Sequence, residues 1–556
     1  MLPPYLTPKL FTTLQTYDRA QFLDDLIAGL IVGVVAIPLA LAFGIASGVT
    51  PAEGLYAAVI GGFVISLLGG SRVQIGGPTG AFVVIIYGIV HQYGREALAV
   101  CTIMAGVILI VMGLFRMGNL IKWIPYPVTT GFTSGIAVII FSSQVKDLLG
   151  LRMGAVPPEF VEKWEAYFHA LPTADWHTFG LSAATLAVLI FLPRLTKKIP
   201  SPFAALVFAT GAAAVFSLPV ETIGSRFGDL PRGLPMPRLP EVDFKTAMTL
   251  VRPATIVALL AAIESLLSAV VADGMIGGRH RSSVELVAQG AANILSPMFG
   301  GIPVTGAIAR TATNVKSGGR TPVAGITHAV VLVCVLLFAG PLVARIPLCA
   351  LAAVLVIVAY NMSEWRTFLF LLKAPRSDVA VLLATFGLTV LVDLTFAVEV
   401  GIVLSAFLFM RRMAEMTTVG AALRDRADEE AGGAAEPLSE ALPNGVEVYR
   451  VSGALFFGAA DKLGEVLTHI SDPPKVFILR LGDVPVMDAT GMHALRDFQA
   501  RCRRRGTALL LCGLRKQPLQ VLKTAEVLDE FDAYTEKDDL AAALKALAKS
   551  TALNKK

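Results

Sequence analysis

A glycine-rich segment occurs twice in this chain, each time between long apolar runs. Residues 67–81 read LLGGSRVQIGGPTGA and residues 298–307 read MFGGIPVTGA, so both pass from a Gly-Gly pair through a proline to Thr-Gly-Ala. The similarity extends upstream, because residues 26–70 align with residues 257–301 without a gap. We interpret the two copies as an internal repeat in which each Thr-Gly-Ala stretch opens a half-length helix. Interrupted apolar segments at corresponding positions of two halves indicate the binding site of a membrane transporter.

The composition is that of an integral membrane protein. Of the 556 residues, 55% are hydrophobic and 16% are charged, whereas soluble domains carry roughly 25% charge. Apolar runs of about 20 residues predict spanning helices, since a membrane barrel would show alternating segments of ~10 residues. The first 20 residues lack an apolar core, so we expect no cleavable signal peptide. The five cysteines show no paired spacing, so we expect neither a metal site nor a disulfide framework. We also expect no cofactor.

The apolar runs predict about fourteen spans, seven in each half of the chain. The third and the tenth, near 78–93 and 304–315, are short. Lysine and arginine placement favours a cytoplasmic N-terminus, although the loop 219–250 carries several arginines on the opposite side. Because seven is odd, the two halves have opposite orientations, which builds a site at the bilayer midplane.

Changes in composition divide the chain into four segments. We expect a cytoplasmic N-terminal segment, a transmembrane domain with two repeats, a linker rich in Ala, Gly, Asp and Glu, and a small cytoplasmic α/β domain. Their boundaries fall at 1–23, 24–417 (repeats near 24–218 and 252–413), 418–445 and 446–550.

Five stretches of the sequence carry a resemblance to a known family: GLIVGVVAIPLALAFGIASG (29–48), QIGGPTGAF (74–82), AIESLLSAVVADGM (262–275), GGIPVTGAIARTATN (300–314) and VMDATGMHAL (486–495). With these motifs the chain resembles the SulP family of sulfate-permease-like anion transporters over nearly its whole length. The last segment is similar to the sulfate-transporter and anti-sigma-antagonist (STAS) domain that ends most members of the family.

The resemblance implies a fold, an assembly and a substrate class. The fold is a 7+7 inverted repeat with a core and a gate domain, usually dimeric, that works by an elevator-like movement of the core. The substrates are anions such as sulfate, bicarbonate, chloride, oxalate or dicarboxylates. We therefore expect an integral protein of the bacterial inner membrane, with both termini in the cytoplasm and lipid and a second copy of the chain as partners. We expect no binding of nucleic acid.

The two half-helices form the candidate anion site. A helix N-terminus carries about +0.5 charge and several free N–H groups, so two facing ends can hold an anion without a buried lysine. The alternative is that the glycines and prolines only mark helix packing or kinks, and that the two phenylalanines are packing residues rather than apolar walls. The candidate residues are Phe43, Gly77, Pro78, Thr79, Gly80, Phe82, Val304, Thr305, Gly306 and Ala307.

Two charged residues complete the candidate site. Glu264 lies within an apolar span, where an ionisable side chain marks a functional site by default. In the SulP resemblance this position holds the carboxylate that binds the coupling cation, with Ser268 on the same helix face, and Glu favours H⁺ over Na⁺. Arg310 lies near the start of the tenth segment and can hold an oxyanion bidentately. Alternatively, Glu264 is a structural carboxylate that forms an ion pair with Arg310. Protonation of Glu264 would then break this pair and free Arg310 for the substrate.

In the C-terminal domain, Thr490 precedes a glycine at a helix start, which is the position phosphorylated in anti-sigma antagonists. A capping role for Asp488 is the plainer interpretation of this stretch. Docking of a cytoplasmic protein partner is a further possibility for this domain.

The sequence as a whole predicts a secondary active anion transporter, with H⁺-coupled uptake of sulfate or a small (di)carboxylate as the leading hypothesis. Na⁺-coupled bicarbonate uptake, an uncoupled anion exchanger or channel, and a nucleobase carrier of similar plan are the alternatives. An enzyme is excluded because no nucleotide loop, catalytic triad or metal cluster is present in the sequence.

Overall fold

The computed structural model describes residues 7–118, 125–154, 156–157, 159–196, 199–241, 243–392, 394–421, 445–456, 462–463, 473–538 and 545. The chain divides into two compact units, Met1–Val403 and Leu404–Lys556. The first is helical and contains the candidate anion site, and the second contains a small α/β domain.

Most of the described chain is helical. In chain order the helices are α1 (Lys9–Thr13), α2 (Arg19–Ala46), α3 (Pro51–Leu68), α4 (Gly80–Leu114), α5 (Tyr126–Leu149), α6 (Phe160–Ala170), α7 (Trp176–Leu195), α8 (Ser201–Val215), α9 (Ile223–Phe227), α10 (Phe244–Thr249), α11 (Val251–Ile276), α12 (Ser282–Met298), α13 (Ile308–Lys316), α14 (Pro322–Phe338), α15 (Gly340–Ala344), α16 (Leu348–Met362), α17 (Trp365–Leu371), α18 (Arg376–Leu391), α19 (Leu394–Met416), α20 (Ala489–Arg504) and α21 (Lys516–Thr524).

Seven strands accompany these helices in the described residues. They are β1 (Gly76–Gly77), β2 (Thr305–Gly306), β3 (Thr418–Ala421), β4 (Val446–Ser452), β5 (Val476–Asp483), β6 (Ala508–Cys512) and β7 (Ala533–Tyr534). The first two form a small sheet within the helical unit, and the other five form the sheet of the second unit.

The apolar helices agree with the predicted polytopic fold. Among the described residues, α2, α3, α4, α5, α7, α11 and the stretch Leu348–Leu371 are individually long and apolar enough to cross a membrane, and α8 and α14 are shorter apolar helices. The predicted third and fourth spans are the two helical parts of α4, which are separated by a non-helical backbone conformation at Gly94. This glycine takes a φ of 86°, which other residues adopt only with strain.

The helices of the first unit form two bundles, and each bundle draws on both halves of the sequence. In the core bundle, α2, α3 and α4 of the first half pack with α11, α12 and α14 of the second, and α13 lies against α2 and α11. In the gate bundle, α5 packs with α16 and α18, and α7 packs with α8 and α16. This is the inverted-repeat plan with a core and a gate.

Small residues allow the core helices to approach closely. Gly106 of α4 and Gly290 of α12 face each other, and a Cβ added at Gly290 would lie 2.5 Å from the Gly106 carbonyl oxygen. Close packing of small residues is a main source of helix association in membranes, where burial of apolar surface gives little driving force. The core bundle is therefore a tight scaffold for the segments that it surrounds.

The second unit contains a five-stranded sheet in the order β3-β4-β5-β6-β7, in which β3 and β4 are antiparallel and the other pairs are parallel. Apolar side chains of β5 and β6 form its core together with those of α20, including Phe477, Phe498 and Leu511. The expected linker 418–445 needs one correction, because its first four residues form β3. Pairing with β4 gives their backbone groups hydrogen-bond partners. Residues 422–444 lie outside the described residues.

Candidate functional site

The two interrupted segments meet inside the core bundle. Strands β1 and β2 pair antiparallel, with Gly76 opposite Gly306 and Gly77 opposite Thr305. The Ala307 N–H also donates to the Ile75 carbonyl oxygen at 2.9 Å. Since α4 and α13 begin just after these strands, both helix N-termini start from the same two-strand contact, and the unpaired N–H groups of their first turns are concentrated there.

Thr79 and Glu264 connect the start of α4 to α11. Thr79 is the residue that precedes α4, and its Oγ1 donates a hydrogen bond to Oε2 of Glu264 at 2.7 Å. Both side chains are partly exposed, whereas Pro78 and Gly80 on either side of Thr79 are buried. An ionisable carboxylate thus lies one hydrogen bond from a helix N-terminus.

Arg310 crosses from the second repeat to the first. Its side chain is 2% exposed, and its two Nη atoms donate to the carbonyl oxygens of Pro78 and Gly76, the latter at 3.5 Å. No ion pair within 4.0 Å joins it to Glu264 among the described residues. The structure therefore does not show the alternative in which Glu264 and Arg310 form a direct pair. The N–H groups of Arg310 donate to backbone carbonyl oxygens of the first repeat instead.

Ser268 does not bond to Glu264 in this structure. Its hydroxyl donates to Oγ1 of Thr311 on α13 at 3.1 Å, and the same oxygen accepts the Ile75 N–H at 3.1 Å. Both side chains are buried. Ser268 therefore positions the start of α13 and the segment before β1, and a place for it beside the coupling residue remains a prediction.

The second-repeat residues are held mainly by their backbones. Thr305 is fully buried, and its hydroxyl donates to the Ala261 carbonyl oxygen at 2.9 Å. Asn293 of α12 bonds both backbone groups of Val304, at 2.8 and 2.9 Å. Protein groups thus accept the hydrogen bonds of both candidate threonines, Thr79 and Thr305, so neither hydroxyl donates to an anion in this structure. The backbone N–H groups in the first turn of α13, which begins at Ile308, are left as the principal donors of the second repeat, since the Ala307 N–H already donates to Ile75.

The two phenylalanines lie in different surroundings. Phe43 of α2 is 4% exposed, and its Cε1 lies 3.4 Å from the point that a Cβ on Gly80 would occupy. It therefore forms an apolar wall next to the first residue of α4. Phe82 is fully buried in the apolar core, which agrees with the packing alternative.

A row of buried polar side chains on α12 was missed at the sequence level. Oε2 of Glu285 accepts the N–H groups of Gly70 and Ser71 at 2.8 and 3.1 Å, and its Oε1 accepts Nε2 of Gln289 at 2.8 Å. The next residue in the row is Asn293, which clamps Val304. Their four-residue spacing places all three on one helix face, and this spacing was the available signal. The row ties the interrupted segments of both repeats to one helix.

Gln74 was also missed, although it belongs to the recognised motif. Its Nε2 donates to the Ser265 carbonyl oxygen at 3.2 Å. A Cβ added at Gly306 would lie 1.5 Å from the same nitrogen. The side chain of Gln74 thus fills the space that a larger residue at Gly306 would need.

This contact predicts the outcome of a double substitution. Gly306→Ala alone is expected to lower the melting temperature of the detergent-purified protein by several degrees and to abolish transport, because its methyl group displaces Gln74. Adding Gln74→Ala opens the space and is expected to recover most of the lost stability, a coupling on the order of 1–3 kcal/mol. Thermal unfolding of the two single variants and the double variant measures this coupling. Strictly additive losses would contradict the contact.

In the second unit, Thr490 is exposed in the first turn of α20. Asp488 caps this helix, since its Oδ1 accepts the Gly491 N–H at 2.7 Å. The capping role of Asp488 is thus confirmed, and phosphorylation of Thr490 stays a prediction.

Comparison with known proteins agrees with this architecture. A model of the sulfate permease family matches residues 22–385, and a model of the STAS domain matches residues 441–542. The chain belongs to the sulfate permease family. This confirms the resemblance found in the sequence, and it confirms an anion transporter with a STAS domain rather than an enzyme.

Some relatives that are similar to this chain are named sulfate transporters, and others are named bicarbonate transporters. The putative sulfate transporter YvdB of Bacillus subtilis is 42% identical over 515 residues, which cover 91% of this chain and 94% of the relative. The bicarbonate transporter BicA of Picosynechococcus is 32% identical over 495 residues, which cover 85% of each chain.

Solved structures support the fold. The murine Solute Carrier 26 family member A9 anion transporter, in the inward-facing state, superposes with a TM-score of 0.86 at 17% identity and covers 98% of this chain and 94% of that one. The transmembrane domain of a cyanobacterial BicA superposes with a TM-score of 0.63 at 33% identity and covers 69% of this chain and 98% of that one.

Proposed function

We propose that this protein is a secondary active transporter that couples uptake of sulfate or a small (di)carboxylate to a proton, by an elevator-like movement of the core against the gate. The observation that carries the proposal is the hydrogen bond from Thr79 to Glu264. It connects the protonatable carboxylate directly to one of the two helix N-termini that face the anion. Protonation of Glu264 therefore changes the charge at the anion site itself.

The charge balance of the site favours a divalent anion together with a proton. Each helix N-terminus is equivalent to about +0.5 charge, and Arg310 adds a full positive charge. With Glu264 protonated, the site carries roughly +2, which matches a dianion. With Glu264 ionised, the site carries roughly +1, and a dianion is held less well. Binding of the proton and of the anion thus favour each other, which is the thermodynamic basis of symport.

The position of Arg310 argues against a sodium ion at this site. In transporters with broken helices, carbonyl groups of the unwound backbone coordinate the coupling sodium. Here the carbonyl oxygens of Gly76 and Pro78 accept hydrogen bonds from the guanidinium of Arg310. A sodium ion at these oxygens would lie against a fixed positive charge. A proton on Glu264 needs no such carbonyl ligands.

Sodium-coupled bicarbonate uptake is the second candidate, and the similarity to BicA favours it. That relative is 32% identical and is named a bicarbonate transporter. A single negative charge on the substrate would also match the roughly +1 site in which Glu264 is ionised. The two candidates therefore differ in the protonation of Glu264 during transport.

The ion gradient that drives uptake separates the two candidates, and replacement of Glu264 by glutamine tests the part of this residue in coupling. Purified protein in proteoliposomes is expected to accumulate labelled sulfate under an inward proton gradient and not under a sodium gradient. Glu264→Gln mimics the protonated carboxyl. It is therefore expected to lose at least about 90% of the gradient-driven accumulation, while sulfate–sulfate exchange continues within a few-fold of the wild-type rate, because exchange requires no change of protonation.

Glu399→Gln is the matched control for this experiment. Glu399 is exposed and pairs with Arg252 far along the chain from the interrupted segments, so its removal is expected to leave both activities unchanged. Full retention of the proton-driven accumulation in Glu264→Gln would remove Glu264 from coupling. Accumulation of bicarbonate by the wild type under a sodium gradient alone would favour the second candidate.

A further inference from the structure

A large cavity lies beside the candidate anion site rather than on it. Its volume is about 760 Å³, and it lies between α2, the first half of α4, α5, α6, α9 and α18. Its rim includes Gly48 and Val49, which lie in the turn before α3. The N-terminal segment lies at the other end of α3, where the Lys9 N–H donates to the carbonyl oxygen of Gly69. With the N-terminus in the cytoplasm, as the sequence predicts, this cavity faces the outside.

The inner end of the cavity reaches the first turn of α4. Val83, three residues after the start of α4, lines the cavity together with Ile140 of α5. The Cδ1 atom of Ile140 lies 3.4 Å from the point that a Cβ on Gly80 would occupy. Three residues of helix correspond to ~4.5 Å along the axis. The cavity therefore ends about one helical turn from the candidate anion site, with Ile140 and Phe43 closing the way.

Charged and titratable side chains of α4, α5, α6 and α9, and of the residue before α6, line this cavity, whereas α2 and α18 contribute none. The positive ones outnumber the negative ones by four to two. They are Arg95, Lys146, Lys163 and Arg226, with Asp147, Glu159, Tyr87 and Tyr93 as the other titratable groups.

Three of the four positive side chains have protein partners. Arg226 pairs with Asp147 at 2.8 Å and also with Glu221. Lys146 donates to the carbonyl oxygens of Met153 and Gly154 at 3.1 and 2.9 Å. Arg95 lies 3.8 Å from Glu53.

Lys163 differs from these three. It lies on α6, in the connection between α5 and α7, and its side chain is only 4% exposed. Within the described residues its ammonium has neither a hydrogen-bond acceptor nor an ion-pair partner. Burial of an unpaired charge costs free energy, so the fold keeps this charge at the cavity wall at the expense of stability. A positive charge on a low-dielectric wall raises the local concentration of anions.

We propose that Lys163 and this cavity form an outer anion-capture site, where a substrate anion such as sulfate is held before it passes Ile140 to the helix N-termini. The inference rests on the proposed function, since it assigns a step to the same transport path. Lys163 supplies the attraction, because partners already occupy the other positive groups of the cavity. When Ile140 moves aside, the anion passes from the cavity to the helix N-termini and Arg310.

The ionisation of Lys163 gives this role a pH signature. Burial lowers the pKa of Lys163 to about 8. The ammonium is therefore charged below this pH and loses its charge as the external pH rises above it. Sulfate stays divalent over this whole range, so a change in its affinity reports on the protein.

Uptake of labelled sulfate into intact cells, measured at external pH values between about 6.5 and 9, tests the proposal. In the wild type, the apparent KM is expected to rise about three- to tenfold across this range while the maximal rate changes less, because capture precedes translocation. Because proton and anion binding favour each other in the proposed symport, part of the rise in KM does not involve Lys163, and the variants are compared with the wild type at each pH. Lys163→Gln is expected to have a higher KM than the wild type at the lowest pH and to match it at the highest. Lys163→Arg is expected to match the wild type at the lowest pH and to have a lower KM at the highest, because a guanidinium stays charged.

Arg152→Gln is the matched control. Arg152 is exposed in the same α5–α6 connection and does not line the cavity, so its loss is expected to leave the wild-type KM profile unchanged. If Lys163→Gln matches the wild type at every pH, the capture site is wrong while the transport proposal stands. If the wild type takes up none of sulfate, bicarbonate and fumarate, the proposed function itself fails.

A thiol-labelling experiment gives a second measurement that does not depend on pH. Lys163→Cys is made in a Cys334→Ser chain, since Cys334 is the exposed one of the five cysteines. A membrane-impermeant reagent that attaches an ethylammonium group from outside is expected to restore the low KM, and a neutral methyl reagent is not. Equal effects of the two reagents, or no reaction from outside, would overturn the assignment.

Discussion

Arg310→Met is expected to reduce sulfate uptake by at least about 100-fold. A hydrogen bond to a charged group contributes roughly 1.5–3 kcal/mol. Loss of two such bonds, to the backbone of the first repeat or to the anion, corresponds to about a hundredfold or more, since about 1.4 kcal/mol is tenfold. The substitution also removes about half of the positive charge at the site. Initial rates of labelled sulfate uptake in proteoliposomes measure the effect.

Two further variants show whether the charge or the geometry of Arg310 matters. Arg310→Lys keeps the charge but cannot reach both carbonyl oxygens with a planar fork, so we expect an intermediate loss of about tenfold. Arg320→Met is the matched control, because Arg320 lies in the same part of the chain with an exposed side chain. Its uptake is expected to equal that of the wild type. Normal uptake by Arg310→Met would show that Arg310 has only a packing role.

Gly77→Ala is expected to abolish uptake through two independent effects. Gly77 has a φ of 145°, a conformation that L-residues with side chains rarely adopt, and such strain costs on the order of 1–3 kcal/mol. The added Cβ would also lie 2.5 Å from Nη1 of Arg310. The guanidinium must move away from the Gly76 and Pro78 carbonyl oxygens, so both the pairing of β1 with β2 and the anion site are lost.

Gly211→Ala is the control for the glycine substitution. Gly211 lies within α8, and a Cβ there would have no neighbour within 4 Å, so this variant is expected to fold and transport normally. Gel filtration and thermal unfolding of Gly77→Ala distinguish loss of the fold from loss of the site. Wild-type uptake by Gly77→Ala would contradict the contact between Gly77 and Arg310.

The repeat and the apolar runs predicted most of the fold. Internal similarity places the two interruptions at corresponding positions, and backbone polar groups in a membrane must be satisfied within helices. These two constraints are local or periodic, so they can be read from the order of residues. They led to the polytopic fold and to the short segments near 78–93 and 304–315, which the structure begins at Gly80 and Ile308. The division into a core and a gate came from the resemblance to the family.

The sequence alone also identified Glu264 and Arg310 as the charged residues of the candidate site, because an ionisable side chain in an apolar run is costly and rarely without a function. Their partners were not predictable. Glu264 bonds Thr79, 185 positions away, and Arg310 bonds carbonyl oxygens of the first repeat. Hydrogen-bond partners across such separations depend on helix rotation and register, which residue types do not specify.

Only the tertiary structure decided how the polar groups are shared. In the structure, the hydroxyl of Ser268 donates to Thr311, and the hydroxyl of Thr305 donates to the Ala261 carbonyl oxygen. The side chain of Gln74 occupies the space beside Gly306. The tertiary structure also brought α6 against a cavity next to α4 and left Lys163 without a partner among the described residues. Apolar content and spacing determine which segments become helices in a membrane. Which polar atoms then meet depends on the packing of helices that are distant in the chain.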